Sequence, residues 1–440
     1  MSFDKNQPDA GRRTFLMGSA ATAAALMGME TAVAGMSSDK KVHVVIIGSG
    51  AAGMSIANRL SNALPNGKLT VIDPRAPSYY WPGLTLVATG LWPMDKVLIN
   101  TSDYMPARAE WIKESVKTIN PANNSLETDA GRKVSYDYLV VAPGLDYDYE
   151  AIEGLDVKAI GSNGLASVYE SPEAAAKSWT AIHKFVNEGG QGIFTLPNTP
   201  IRCAGAPLKM TFLTKDRIAQ AGTEAKAHTA FYSAVSNVFS LPYFSDYTIN
   251  SWKETGTPTY LNHNLKAVDL AARKANFATE TGDVVVDYDL LHVVPPMRAP
   301  ECVRNSELAW TEGPFAVGSW LAVDKGTLQH VKYKNVFGCG DANGTPRGKT
   351  AATVKLSVPI VVANLLSVIE GKEPQMIFDG YTSCPLLTKF GSAMLIEFDY
   401  EGKLTPTFAF IDPKQESWFA WVMKEQMLKP TYLKMLEGRV

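Results

Sequence analysis

The chain alternates short apolar runs with glycine-rich turns and amphipathic stretches. Val42-His43-Val44-Val45-Ile46-Ile47 is a continuous run of the kind that a strand buried on both faces needs. Gly48-Ser49-Gly50-Ala51-Ala52-Gly53 follows, and then a helix-like stretch from Met54 to about Ala63. A second apolar strand, Lys68-Leu69-Thr70-Val71-Ile72, ends in Asp73. Later runs at Tyr138-Leu139-Val140-Val141, Gly192-Ile193-Phe194-Thr195-Leu196 and Asn335-Val336-Phe337 also read as strands. Strands interleaved with helical patterns predict an α/β fold with parallel sheets.

Each glycine of the first turn has a physical task. Gly48 makes the tight turn, Gly50 lets a pyrophosphate approach the backbone, and Gly53 lets the helix pack on the strand. The helix N-terminus, through Ala51 and Ala52, offers amide donors and a positive dipole end to phosphate. Asp73 lies at the spacing at which an acid meets a ribose hydroxyl. Gly338-Cys339-Gly340-Asp341 follows a strand-like run, and in two-domain flavoproteins such a Gly-Asp holds the ribityl chain of FAD. Lys349-Thr350 opens an apolar helix whose N-terminus suits negative charge on a reduced flavin ring. Ala142-Pro143-Gly144 matches the turn that returns beneath the adenosine half. Together these features predict FAD rather than a loosely held dinucleotide.

A second glycine fingerprint for NAD(P)H is missing. The strand ending at Leu196 leads instead into Pro197-Asn198-Thr199-Pro200-Ile201-Arg202-Cys203-Ala204-Gly205-Ala206-Pro207. Prolines and bulky side chains stand where a pyrophosphate would need glycine. The turn presents Cys203, beside Arg202 and before an expected helix from about Pro207 to Ala219, and both neighbours favour a thiolate. Read alone, such a cysteine is more often an inert buried residue. Cys384 lies far downstream, and spacing cannot show that the two meet. Cys302 and Cys339 sit in apolar settings and read as structural.

The 440 residues are 46% hydrophobic and 20% charged, which excludes a disordered chain and leaves room for two domains. A net charge of −2 gives no reason to expect nucleic acid as a partner. Four cysteines are too few for a disulfide framework, and six histidines without ligand spacing give no metal site. No run approaches the roughly 18–20 uninterrupted apolar residues of a membrane span, the best, Val358 to Leu366, being interrupted by Pro359 and Asn364. Residues 1–34 read as a twin-arginine-type export signal, with Arg12-Arg13 before an alanine-rich run and Ala32-Val33-Ala34 as cleavage site. That reading places the mature chain on the periplasmic side of the cytoplasmic membrane.

From about Val42 to the C-terminus the chain resembles the sulfide:quinone oxidoreductases, in the branch that includes the mitochondrial enzyme. The resemblance rests on Tyr79-Tyr80-Trp81-Pro82, Phe194 to Pro207 around Cys203, Leu291 to Met297, Val336 to Asp341, Lys349-Thr350-Ala351-Ala352, and Tyr381 to Leu386 around Cys384. It implies two Rossmann-like domains of the glutathione-reductase type and counts Pro82 among the cofactor contacts. It implies further that Cys203 and Cys384 are a redox pair attacked by hydrosulfide, leaving a persulfide assigned to Cys384. Electrons would pass through Cys203 to the flavin and on to a membrane quinone, and a small thiol or sulfite would accept the sulfur. Related flavocytochromes tether FAD through a cysteine where this chain has Trp81, and they reduce a cytochrome c partner, which is the alternative reading.

The expected organisation is an FAD domain from 41–156 and 294–375, a degenerate second domain at 157–293, and a C-terminal segment at 376–440. In that segment, aromatic residues interleaved with Lys424, Lys429 and Lys434 suggest two short interfacial helices, broken at Pro430, with snorkelling lysines. Arg202 and Lys209 are candidates for an exposed cationic approach for sulfide. The expected partners are sulfide, a quinone, a sulfur acceptor, a membrane surface and a second copy of the chain as homo-oligomer.

Overall fold

A computed structural model describes residues 35–440 of the chain. The export-signal reading concerns residues 1–34 and lies outside the described residues. The first sheet has five strands in the order Val336–Gly338, Tyr138–Val141, His43–Ile47, Lys68–Ile72, Ala109–Ile112, all parallel. Val44, Val45 and Ile46 are wholly buried, as a strand covered on both faces requires. Ile47 lies opposite both Ile72 and Val141, so the turns that follow these strands meet at one edge of the sheet. In a parallel sheet that edge is where ligands bind.

The helices Ala51–Ala63 and Ala351–Ile369 pack against each other. The second is long and apolar enough to cross a membrane, but 83% of its most apolar window is buried inside the fold, so it is a core helix. Pro359 and Asn364 interrupt the apolar run and do not interrupt the helix. Asn364 donates to Thr327 O (3.0 Å) and Met376 O (2.8 Å) and accepts from the amides of Gln375 and Met376.

A second parallel sheet runs Leu165–Ala166, Leu290–His292, Gly190–Leu196, Ala227–Ser233, Thr259–Tyr260. The strand Gly190–Leu196 and the helix Ala206–Ala221 repeat the strand–turn–helix unit of the first sheet, with the cysteine-bearing turn between them. The two parallel-sheet units match the expected α/β class.

The C-terminal part contributes an antiparallel hairpin, Thr382–Lys389 with Ser392–Phe398, packed on the helix Ala206–Ala221. A helical run follows, Trp418–Val422, then a π turn Met423–Met427, then Leu428–Leu436. Pro430 therefore does not separate two helices. It lies in the first turn of the last segment, and the adjacent π turn is where a helix absorbs such an irregularity.

Candidate active site

The cradle at the edge of the first sheet is built by the glycines. Gly48 adopts φ +96°, a conformation costly for other residues, and a Cβ there would overlap the carbonyl of Ala142. A Cβ on Gly53 would overlap Gly48 O. Gly50 is the N-cap of the helix Ala51–Ala63 and has open space where its side chain would be. That helix has no side-chain cap and no acid in its first turn, so the amides at Ala51, Ala52 and Gly53 face a natural anion site. The buried Ser49 Oγ has no hydrogen-bond partner.

Asp73 sits beside this turn, accepting from Ser49 N at 2.7 Å and from the Arg75 fork at 2.8 and 3.0 Å. Burial pushes its carboxyl up, but Arg75 and the amides outweigh it and hold the group below the usual carboxylate range. The helix N-terminus, the orphaned hydroxyl and the open position at Gly50 fit the pyrophosphate of a dinucleotide such as FAD.

Of the remaining expected contacts, Gly340, Asp341, Lys349 and Gly144 lie beside this cradle, and Thr350 and Pro82 lie on the side of the cysteines. Gly340, at φ +83°, lies where a Cβ would come 3.3 Å from Ala52 Cβ, which puts Asp341 next to the phosphate-binding helix. The Lys349 ammonium donates to the carbonyls of Asp341 (2.5 Å) and Asn343 (3.0 Å) and lies over the Trp320 ring, bracing the Gly340-Asp341 turn from within. Thr350 caps the helix Ala351–Ile369 and hydrogen-bonds Thr382 at 3.0 Å, which ties that helix to the strand bearing Cys384. Gly144 lies against the Arg202 guanidinium. Pro82 accepts from the Lys424 ammonium.

Cys203 stands at the head of the helix Ala206–Ala221, in a turn pinned by Cys203 N to Lys349 O (2.9 Å) and Ala206 N to Cys203 O (2.7 Å). Its φ of +52° is a left-handed conformation that costs a side-chain-bearing residue on the order of 1–2 kcal/mol. The buried Cys384, on the strand Thr382–Lys389, is within hydrogen-bonding reach of Cys203. Its sulfur also lies where a Cβ on Gly205 would be, so only glycine admits the approach. Lys209, one helical turn along, donates to Cys203 Sγ at 3.2 Å.

The electrostatics follow from that geometry. The Cys384 thiol donates to Cys203, and with the Lys209 and Lys424 ammonium groups it carries the Cys203 thiol well below its usual range despite burial. Cys384 is displaced the opposite way, by its bond to Cys203 and by burial. Burial, with repulsion from Lys209, brings Lys424 down to about 7. Cys302 and Cys339 are pushed up to about 12 by burial, as inert thiols should be. The site thus pairs a half-buried cysteine that favours the thiolate, Cys203, with a buried thiol, Cys384, at the edge of the cradle.

A family model described as pyridine nucleotide-disulphide oxidoreductase matches residues 42–185. The chain is 36% identical to the mitochondrial sulfide:quinone oxidoreductase of Dictyostelium discoideum over 90% of its own length and 86% of the relative's. It is 34% identical to the mitochondrial sulfide:quinone oxidoreductase of Mus musculus over the same shares. The chain belongs to the sulfide:quinone oxidoreductase family. The fold is that of the crystal structure of the Aquifex aeolicus sulfide:quinone oxidoreductase, with a TM-score of 0.74 at 21% identity, covering 91% of this chain and 92% of that one.

Two expectations are corrected within this family site. Lys209 and Arg202 do not form an exposed cationic approach. Lys209 is 3% exposed and bonded to Cys203, and Arg202 is turned into the cradle, paired with Asp341 and Tyr147. Nor does Lys424 snorkel. It is 2% exposed, and the π turn directs it inward to Pro82 and the thiolate. Its lysine-in-aromatics setting reads as surface, and no local signal marks it. Replacing Lys209 by Met should raise the Cys203 thiol pKa by one unit or more, slowing iodoacetamide alkylation of Cys203 about tenfold near pH 6 and restoring it as pH rises. An unchanged pH profile would remove Lys209 from the thiolate's support.

Proposed function

We propose that this protein oxidises sulfide to sulfane sulfur on a Cys203–Cys384 pair and delivers the electrons through FAD to a quinone. The observation that carries the reading is the meeting of Cys203 and Cys384 at the mouth of a dinucleotide cradle, with the Lys209 ammonium donating to Cys203 Sγ. Gly48, Gly50, Ala51, Ala52, Gly53 and Asp73 would hold the adenosine and pyrophosphate half. Pro82, Gly144, Gly340, Asp341, Lys349 and Thr350 would line the flavin half, without a covalent tether. Bound there, FAD supplies a two-electron acceptor that a quinone can reoxidise.

The two cysteines divide the chemistry by their environments. In their disulfide form, hydrosulfide attacks Cys384 sulfur, the S–S bond breaks, and its electron pair leaves with Cys203. The products are a persulfide on Cys384 and a thiolate on Cys203. Cys203 is the better leaving group because Lys209, Lys424 and the Cys384 position stabilise its anion. A small thiol or sulfite then takes the outer sulfur. Membership in a quinone-linked family favours a quinone over a cytochrome as electron acceptor. The division into a cofactor domain (41–156 and 294–375), a second domain (157–293) and a C-terminal segment (376–440) is part of the same reading.

Peripheral membrane attachment would use the C-terminal segment. Phe410 (72% exposed), Trp418 (69%) and Met427 (50%) are exposed there, and Phe408, Phe410 and Phe419 form one aromatic cluster. Aromatic side chains gathered at a surface suit the headgroup region of a bilayer. The periplasmic face follows from the twin-arginine pattern in residues 1–34 alone, whereas the relatives above are mitochondrial by name.

Anaerobic stopped-flow absorbance should show flavin bleaching on adding sulfide and recovery on adding a short-chain quinone. Cys203→Ser should slow the bleaching by about 10³-fold or more, and normal turnover in that variant would refute the mechanism. Replacing Phe410 and Trp418 together by Ser should weaken co-sedimentation with lipid vesicles at least tenfold, at roughly 25 cal/mol per Å² of apolar area withdrawn. Unchanged sedimentation would place the membrane contact elsewhere.

A further inference from the structure

Arg202 precedes Cys203, yet its side chain serves the cradle. Nε donates to Asp341 Oδ2 at 2.6 Å, a second guanidinium nitrogen donates to the Tyr147 hydroxyl at 2.6 Å, and the group lies 4.4 Å over the Trp81 ring. Its side chain is 14% exposed and that of Asp341 13%, so the charges are compensated within a largely buried environment where an unpaired carboxylate is costly. Asp341 comes from the first sheet's last strand–turn and Tyr147 from the connection leaving that sheet, while Arg202 belongs to the second sheet's turn. The backbone is pinned in the same way, with Arg202 N donating to Met297 Sδ at 3.1 Å and Cys203 N to Lys349 O. The left-handed Cys203 is therefore held by ties that all reach across to the cofactor side.

We propose that Arg202 is a positioning residue that locks the cysteine turn to the flavin cradle, so that cofactor retention and the placing of Cys203 depend on one ion pair. This rests on the FAD-and-cysteine reading above. A bidentate guanidinium spans both Asp341 and Tyr147, which an ammonium at the end of a lysine cannot do in the same geometry. Without the guanidinium, Asp341 loses its hydrogen-bonded partner and keeps only the Lys349 amine beside its turn, facing an anionic cofactor, and the strained turn is free to relax away from Lys209.

Two readouts on the holoenzyme test this: the rate of FAD release, followed by free-flavin fluorescence after dilution, and the pH profile of Cys203 alkylation. Arg202→Met should release FAD at least tenfold faster and move the alkylation midpoint upward. Arg202→Lys should fall between it and the unaltered protein. Release and alkylation within twofold of the unaltered protein in Arg202→Met overturns the proposal. Should Arg202→Met fail to fold, Tyr147→Phe, which deletes one of the two bonds, should speed release about threefold, and no change there overturns it equally. Failure of the unaltered protein to hold FAD would instead sink the functional reading on which this rests.

Discussion

A negative charge on a mostly buried sulfur is the constraint around which the site is organised. Burying an isolated thiolate costs several kcal/mol, and the group would take up a proton unless the surroundings compensate. Here a thiol, the Lys209 ammonium and, below about pH 7, the Lys424 ammonium do so. Lys209 comes from the helix that Cys203 heads, Cys384 from a hairpin near the end of the chain, and Lys424 from the π turn beyond it. Each compensating group arrives on a different element, so the thiolate exists only when the whole fold has assembled.

That dependence explains several otherwise unrelated features. Gly205 has no side chain because Cys384 sulfur occupies the space. The hairpin Thr382–Phe398 packs on the helix Ala206–Ala221, and the Thr350–Thr382 bond joins it to the helix expected to face the flavin. The C-terminal helical run exposes Trp418 and Met427 on one side and sends Lys424 toward Cys203 on the other.

The cradle was legible in the residues because its rules are local. A strand, a glycine turn, a helix and an acid in order dictate where Gly48, Gly50, Gly53 and Asp73 go, and Gly340-Asp341 follows the same logic. The place of Cys203 at a turn that lacks the second glycine fingerprint was legible in the same way, but its reactivity was not, because a lone cysteine before a helix is more often inert. Its meeting with Cys384 was not legible either, since separation along the chain carries no tertiary information, and only the family resemblance joined them. Lys424 and Tyr147 were missed for a related reason. An aromatic-rich run with lysines has the same pattern whether it lies on a surface or is wound inward by a π turn, and Tyr147 finds Arg202 only through the packing of the two sheets. Arg202 itself was assigned to the wrong neighbour because adjacency in sequence to Cys203 suggested a role that its side chain, pointing into the cradle, does not have.

In the reduced protein one thiolate, on Cys203, is stabilised by a neutral thiol on Cys384. The pH dependence of ultraviolet thiolate absorbance shows this when it is compared among the unaltered chain, Cys203→Ser and Cys384→Ser. One thiolate should titrate well below the ordinary thiol range, be absent in Cys203→Ser and move to higher pH in Cys384→Ser. A low-pH thiolate that survives in Cys203→Ser, or that is indifferent to Cys384, would contradict it.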